Sequence, residues 1–309
     1  MRAKSVLATG ALAAALLSLT SCIVGVGDWE RFSKDFHSSY PLKPGGRLTV
    51  ETFNGSVDIS SWDQDTVDIS GAKFGPSQQE ADDLKVDVET GPDSVSVRVP
   101  RPSVRRNNQG ARLVIKVPRN TRLDRITSSN GSLRTQDGAG PARLRSSNGS
   151  IRVVDLHGDL DAETSNSSIE LDGVDGNAGV HTSNGHIRAE RLGGSLDAHT
   201  SNGAVHADIA RTDRAVRLDT SNSGVELSLP PNFSSGVRVD TNNGAITLRL
   251  AEGTNARISA RTSNSSIATD FEVRAQGEIS KNHLEGAIGN GGPLIELNTS
   301  NGSIRLLRR

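Results

Sequence analysis

A chain of 309 residues with a formal charge of -1 and both signs interspersed has neither the basic footprint of a nucleic-acid binder nor that of a protein held to an anionic membrane by charge. The chain is long enough to bury a sizeable core, yet only 3% of it is aromatic and Gly reaches 32 residues. No Phe, Tyr or Trp stands between Phe74 and Phe233, which argues against an ordinary globular core there and for a thin solenoid filled with Val, Ile, Leu, Ala and Thr.

The chain opens with Arg2 and Lys4, an apolar run from Val6 to Leu19, and then Leu19-Thr20-Ser21-Cys22. This is a secretory signal layout, too short for a stop-transfer helix. The last four residues resemble the bacterial lipobox, which implies lipidation at Cys22 and an exported protein held to the cell envelope by lipid. Cys22 is the only cysteine, so it has no partner for an internal disulfide. Ile23 rather than Asp follows it, which leans toward the outer membrane where a second membrane exists. Residues 1–22 are thus expected to be a lipoprotein signal peptide. Residues 23–46, with Pro41, Pro44 and Gly45-Gly46, read as a tether whose Trp29, Phe32, Phe36 and Tyr40 dock on the first coil.

Residues 47–122 read as an irregular N-terminal β cap. Leu48, Val50, Thr52, Val57 and Ile59 alternate around Phe53-Asn54-Gly55-Ser56, and Ser77 to Asp83 is polar enough for a helical turn or two. Period two returns at Val86 and Val88, then at Val95, Val97 and Val99, then at Leu113, Ile115 and Val117. Arg98, Arg101, Arg105, Arg106 and Arg112 cluster here; a solvated loop with edge-strand charges is the simpler reading, a site for phosphate or an acidic polysaccharide the sharper one.

From residue 123 to 309 one phrase recurs: SSNGSLRT, SSNGSIRV, TSNSSIEL, TSNGHIRA, TSNGAVHA. Its Asn falls at Asn130, Asn148, Asn166, Asn184 and Asn202, in steps of 18, and continues at Asn222, Asn243, Asn264 and Asn301 in steps of 20, 21, 21 and 37. A fixed period means one supersecondary unit stacked on copies of itself. The last step is read as two coils with a degenerate corner at Asn282. Positions -4, +3 and +5 from the Asn are apolar, as in Val180, Ile187 and Ala189, while the residues between them are polar. Each unit is therefore two short strands with one face buried, and Gly140, Gly158, Gly176 and Gly194 mark a second corner.

Two architectures fit. Asn-Gly between alternating strands is a hairpin signal, which allows a meander or propeller. Ser167, Ser223 and Ser265 replace the Gly that a type I′ turn wants, and propeller blades need about twice this period. The reading that explains more is all-β: a single-stranded right-handed β-helix (β-solenoid) with 18 to 21 residues per coil, its Asn side chains forming a structural ladder.

The strings LVIKVPRNTRLD, LPPNFSSGVRVDTNNGAITL and IGNGGPLIELNTSNGSIRL resemble the bacterial putative-adhesin family, a domain of unknown function built of β-strand repeats, from about Gly46 to Arg309. That resemblance implies an exported, often envelope-anchored β-helix and supplies no catalytic residues.

Candidate chemistry is sparse. His181 and His199 occupy the same outward position in adjacent coils and are the best metal candidates, but no metal site, catalytic set or cofactor is expected. Asp172-Gly-Val-Asp175-Gly-Asn177 misses the EF-hand spacing. The expectation is a non-enzymatic, monomeric envelope lipoprotein that displays a rigid β-solenoid in an adhesin-like or scaffold role, touching the membrane through its N-terminal lipid and meeting an envelope or surface ligand. The alternative is an enzyme acting on envelope polysaccharide, with its site in residues 71–122.

Overall fold

The computed structural model describes residues 32–103, 108–211 and 213–309. Cys22, with the rest of residues 1–22, lies outside the described residues, as do Trp29, Arg105 and Arg106.

The repeat folds as a parallel stack. In the coil around Asn148 one strand, Ala142–Ser146, precedes the corner and another, Ile151–Leu156, follows it. The next coils repeat this with Leu160–Thr164 and Ile169–Val174, then Ala178–Thr182 and Ile187–Leu192, then Leu196–Thr200 and Val205–Ile209. Equivalent strands pair in parallel and in register: Leu144 with Ala162, Ala162 with Val180, Val180 with Ala198. The two strands flanking each Asn belong to different sheets, which we call pre-corner and post-corner. A hairpin would have paired those two strands with each other, so the meander and propeller readings fall.

The core follows from alternation plus stacking. Columns -4, +3 and +5 are buried except at Ile267 and Thr269 in the outermost coil, and two more apolar columns join them, at -6 (Ala142, Leu160, Ala178, Leu196) and at +8 (Leu156, Val174, Leu192). Burying one such Leu, Ile or Val contributes about 1.5–3 kcal/mol relative to leaving it in water. Because each coil offers only a few inward positions, its stability depends on the coils above and below.

Neither end of the stack follows chain order. The coil made of Arg47–Thr52 and Val57–Trp62 lies between the strands Arg122–Ser128 and Leu133–Gln136 on one side and Ser94–Val99 and Gly110–Pro118 on the other. Beyond those, pairing turns antiparallel: Asp87–Gly91 covers Ser94–Val99, and Thr66–Gly75 covers Gly110–Pro118. Phe32–Pro41 then pairs along Thr66–Gly75. This strand corrects the tether reading for residues 32–41: Phe36 and Tyr40 share a face, pack partly buried against the core and draw the segment into the sheet. The helix Gln78–Asp83 is capped by Ser77, whose hydroxyl accepts from the Glu80 N–H at 3.3 Å.

The other end repeats the device. The coil containing Leu294–Thr299 and Ile304–Arg308 is inserted between the Val237–Thr241/Ile246–Leu250 coil and the Ala256–Thr262/Ile267–Thr269 coil. The 37-residue step between Asn264 and Asn301 is not two coils. It is a hairpin of Val273–Ser280 and His283–Ile288 that lies antiparallel on Ala256–Thr262. Asn282 sits at its turn and is no corner residue. The open edge of a parallel sheet templates further pairing, and an antiparallel hairpin laid on it covers that edge.

Candidate functional site

The Asn corner puts two polar columns side by side. In the outer one the Asn148 side-chain amide donates to Asn130 Oδ1 at 2.8 Å, Asn166 to Asn148 at 2.7 Å, Asn184 to Asn166 at 2.9 Å and Asn202 to Asn184 at 2.8 Å. The chain of bonds continues through Asn222 and Asn243, both donating in the same sense. It then passes to Asn301 and ends at Asn264, because the inserted coil carries Asn301 into the interior. All these Asn residues are solvent-exposed, so the ladder is a surface feature.

The buried polar column stands two residues earlier and was not singled out in the sequence. Ser128, Ser146, Thr164, Thr182, Thr200, Thr220, Thr241, Thr262 and Thr299 are all buried. The Thr200 hydroxyl donates to the Gly185 carbonyl of the neighbouring coil at 3.1 Å and accepts from the Gly203 N–H of its own corner at 3.2 Å. Thr299 does the same with Gly244 and Gly302, and Ser146 with Gly131 and Gly149. One hydroxyl thus satisfies a donor and an acceptor that the turn would otherwise bury unpaired. The signal was in the sequence as an unbroken run of Ser or Thr at position -2.

Contact leaves no room for a side chain at several of the corners that carry Gly, while Ser167, Ser223 and Ser265 occupy the same position in other coils. A Cβ on Gly203 would stand 1.8 Å from the Gly185 carbonyl oxygen, and one on Gly244 the same distance from the Ser223 oxygen. The second corner stacks its glycines likewise, with a Gly176 Cβ falling 2.3 Å from the Gly158 oxygen.

Beside the hydroxyls of Ser129, Ser147 and Ser165, on the outer face of the pre-corner sheet, lies a groove of about 610 Å³. Its far wall is the segment Arg98–Arg101, and its floor carries Glu51, Thr127, Arg145 and Glu163. The arginine cluster of the sequence is thereby divided. Arg98 and Arg101 face this groove, while Arg112 belongs to a post-corner strand and lies over the Phe74 ring at 5.9 Å. Arg98 is engaged by Glu51 at 3.1 Å, and Arg101 lies over the Phe53 ring at 5.8 Å. A second groove on the same face, about 580 Å³, is bounded by the hairpin turn and lined by Asp240, Arg261, Asn282, His283 and Asn298.

His181 and His199 stack with ring centroids 5.0 Å apart and planes 1° from parallel, as the shared outward position requires. Among the described residues no group of three or more His, Cys, Asp or Glu is placed to hold a metal ion. The clearest electrostatic effects lie on the post-corner side. A hydrogen bond from Arg249 at 2.8 Å holds the Glu226 carboxyl below the usual carboxylate range, with desolvation opposing it and His206 adding to it. Arg191 does the same for Asp172 at 2.6 Å and reaches a further coil to Asp155 at 3.1 Å. Gly173, with φ of +74°, lies beneath that reach, where a Cβ would meet Asp155 Oδ1 at 2.4 Å.

Two solved structures are similar in outline. One, a putative adhesin from Bacteroides fragilis, is 12% identical, with 89% of this chain and 97% of that chain covered at a TM-score of 0.43. The other, a putative cell adhesion protein from Clostridium sporogenes, is 12% identical, with 89% and 100% covered at a TM-score of 0.24. Likenesses of this order carry no functional argument. No curated protein matches the chain. The family described as Toastrack DUF4097 matches residues 46–250, from the Arg47–Trp62 coil through the corner at Asn243, and the chain belongs to that family.

Proposed function

We propose that this protein is a non-enzymatic component of the bacterial cell envelope, lipid-anchored at Cys22, that displays a rigid β-solenoid as a binding surface in an adhesin-like role. The observation that carries the reading is the groove beside the serine column: a preformed polar recess on a scaffold whose interior is devoted to packing and whose corner repeats Ser and Asn coil after coil. Preorganisation of this kind lowers the cost of ordering a binding surface. The signal layout ending in Leu19-Thr20-Ser21-Cys22 supports export and anchorage.

The test incubates full-length protein with envelope and host-surface glycans, measures retention, and analyses the glycans by mass spectrometry. Retention with intact glycan supports the reading. Shortened glycan overturns the non-enzymatic assignment, and absence of retention on every surface overturns the adhesin-like one. Lipid labelling of wild type and Cys22→Ala tests the anchor: loss of label on substitution is expected, and unchanged labelling sinks it.

A further inference from the structure

We propose that the groove between Arg98–Arg101 and the serine column is a site for an acidic glycan segment, its carboxylates held by Arg101 and Arg145 and its hydroxyls by the serines. The inference rests on the binding reading above and names the ligand class.

Three guanidinium groups, Arg98, Arg101 and Arg145, line the groove together with the carboxylates of Glu51 and Glu163, and Asp161 stands beside Arg145. The three are not equally occupied. Arg98 is hydrogen-bonded to Glu51. Arg145 has Glu163 at 3.5 Å and Asp161 at 3.7 Å, both longer than a charge-assisted hydrogen bond, so its donors are largely unspent. Arg101 has no carboxylate partner among the described residues. Its guanidinium lies over the Phe53 ring at 5.8 Å on an exposed side chain. A guanidinium without a carboxylate of its own can take one from a ligand in a two-pronged contact.

The hydroxyls argue for a sugar over a simple anion. Ser129, Ser147 and Ser165 come from successive coils and recur at the strand spacing of about 4.8 Å, so donors and acceptors are presented in a row. A polymer of hydroxylated, negatively charged units meets both the row and the arginines.

The experiment titrates full-length protein with hexagalacturonate, with its methyl ester, and with hexaglutamate. Binding of hexagalacturonate alone is expected, weakened about tenfold or more by Arg101→Gln and by Arg145→Gln through loss of charged hydrogen bonds. Arg101→Lys should not restore it, since a point charge lacks the fork. Arg112→Gln, which changes charge equally on the opposite sheet, should leave it unchanged. No binding of hexagalacturonate, equal binding of the ester or of hexaglutamate, or indifference to Arg101→Gln would each overturn the proposal. Retention on a neutral glycan that survives Arg101→Gln would remove this site while leaving the adhesin-like reading standing.

Discussion

The Asn301 amide donates to Asn243 Oδ1 at 2.7 Å across 58 residues of sequence, and Asn264 in turn donates to Asn301 at the same distance. Asn301 is an interior rung and Asn264 the outermost one, the reverse of their order in the chain. Asn301→Ala should therefore cost about 1–2 kcal/mol and Asn264→Ala about half that, because only the first loses partners on both sides. Denaturant melts of the two variants check this; equal losses would mean that each Asn acts only within its own turn.

The exposed ladder should matter less than the buried column behind it. Thr182 Oγ1 donates to the Ser167 carbonyl at 3.0 Å and accepts from the Gly185 N–H at 3.2 Å. Thr182→Val keeps the shape but strands both groups, at a cost of about 1–3 kcal/mol or more, whereas water can re-solvate what Asn184→Ala exposes. Thr182→Ser should retain most of the stability, since Ser146 fills the equivalent place with the same bonds. Thermal melts that ranked Asn184→Ala as the worse variant would contradict the assignment of the Thr/Ser column as the corner's buried polar element.

Two glycines on neighbouring turns of the same solenoid should respond oppositely. Gly203→Ala would drive a methyl to 1.8 Å from the Gly185 oxygen and force two coils apart, costing about 3 kcal/mol or more. Gly179 faces outward on a strand, with its nearest neighbour, the Leu160 oxygen, 3.8 Å from an added Cβ. Gly179→Ala should leave stability unchanged or raise it by up to about 1 kcal/mol. Unfolding midpoints measured side by side would show the contrast.

Acid should weaken the post-corner face late. Glu226 and Asp172 have folded pKa values below their ordinary 4.5 and 3.8 because of hydrogen bonds from Arg249 and Arg191. A depressed carboxylate contributes stability that is fully present above the ordinary value and is lost as pH falls through the folded one. Both contributions should thus persist to below the ordinary carboxylate range. Arg249→Gln should return Glu226 toward 4.5, followed by carboxyl NMR titration, while costing less than about 1 kcal/mol at neutral pH because the pair is largely solvated. An unmoved Glu226 would show that its partner is not Arg249.

What could be read from the sequence was what repeats. The period of 18, the inward positions such as Val180 and Ile187, and the corner Gly all follow from a coil of constant circumference. The ends could not be read. The strand His283–Ile288 alternates like any coil strand, and nothing local separates antiparallel docking on Ala256–Thr262 from one more parallel turn. Likewise Ile304 pairs with both Ile246 and Ile267, a choice made by two distant edges. Arg98 and Arg112 belong to one arginine-rich stretch of the sequence, yet they lie on strands of different sheets. Arg145, which joins Arg98 across the groove, is brought there by stacking alone.

The insertion of the 294–308 coil also changes how the stack would come apart under load. In a solenoid whose coils leave in chain order, tension on the last strand peels one interface, a few bonds at a time. Here tension on Ile304–Arg308 pulls a strand that is hydrogen-bonded on both flanks, to Ile246–Leu250 and to Ile267–Thr269. Those bonds share the load in shear, and the outermost coil cannot leave first without carrying its hairpin with it. The stack is latched at that end.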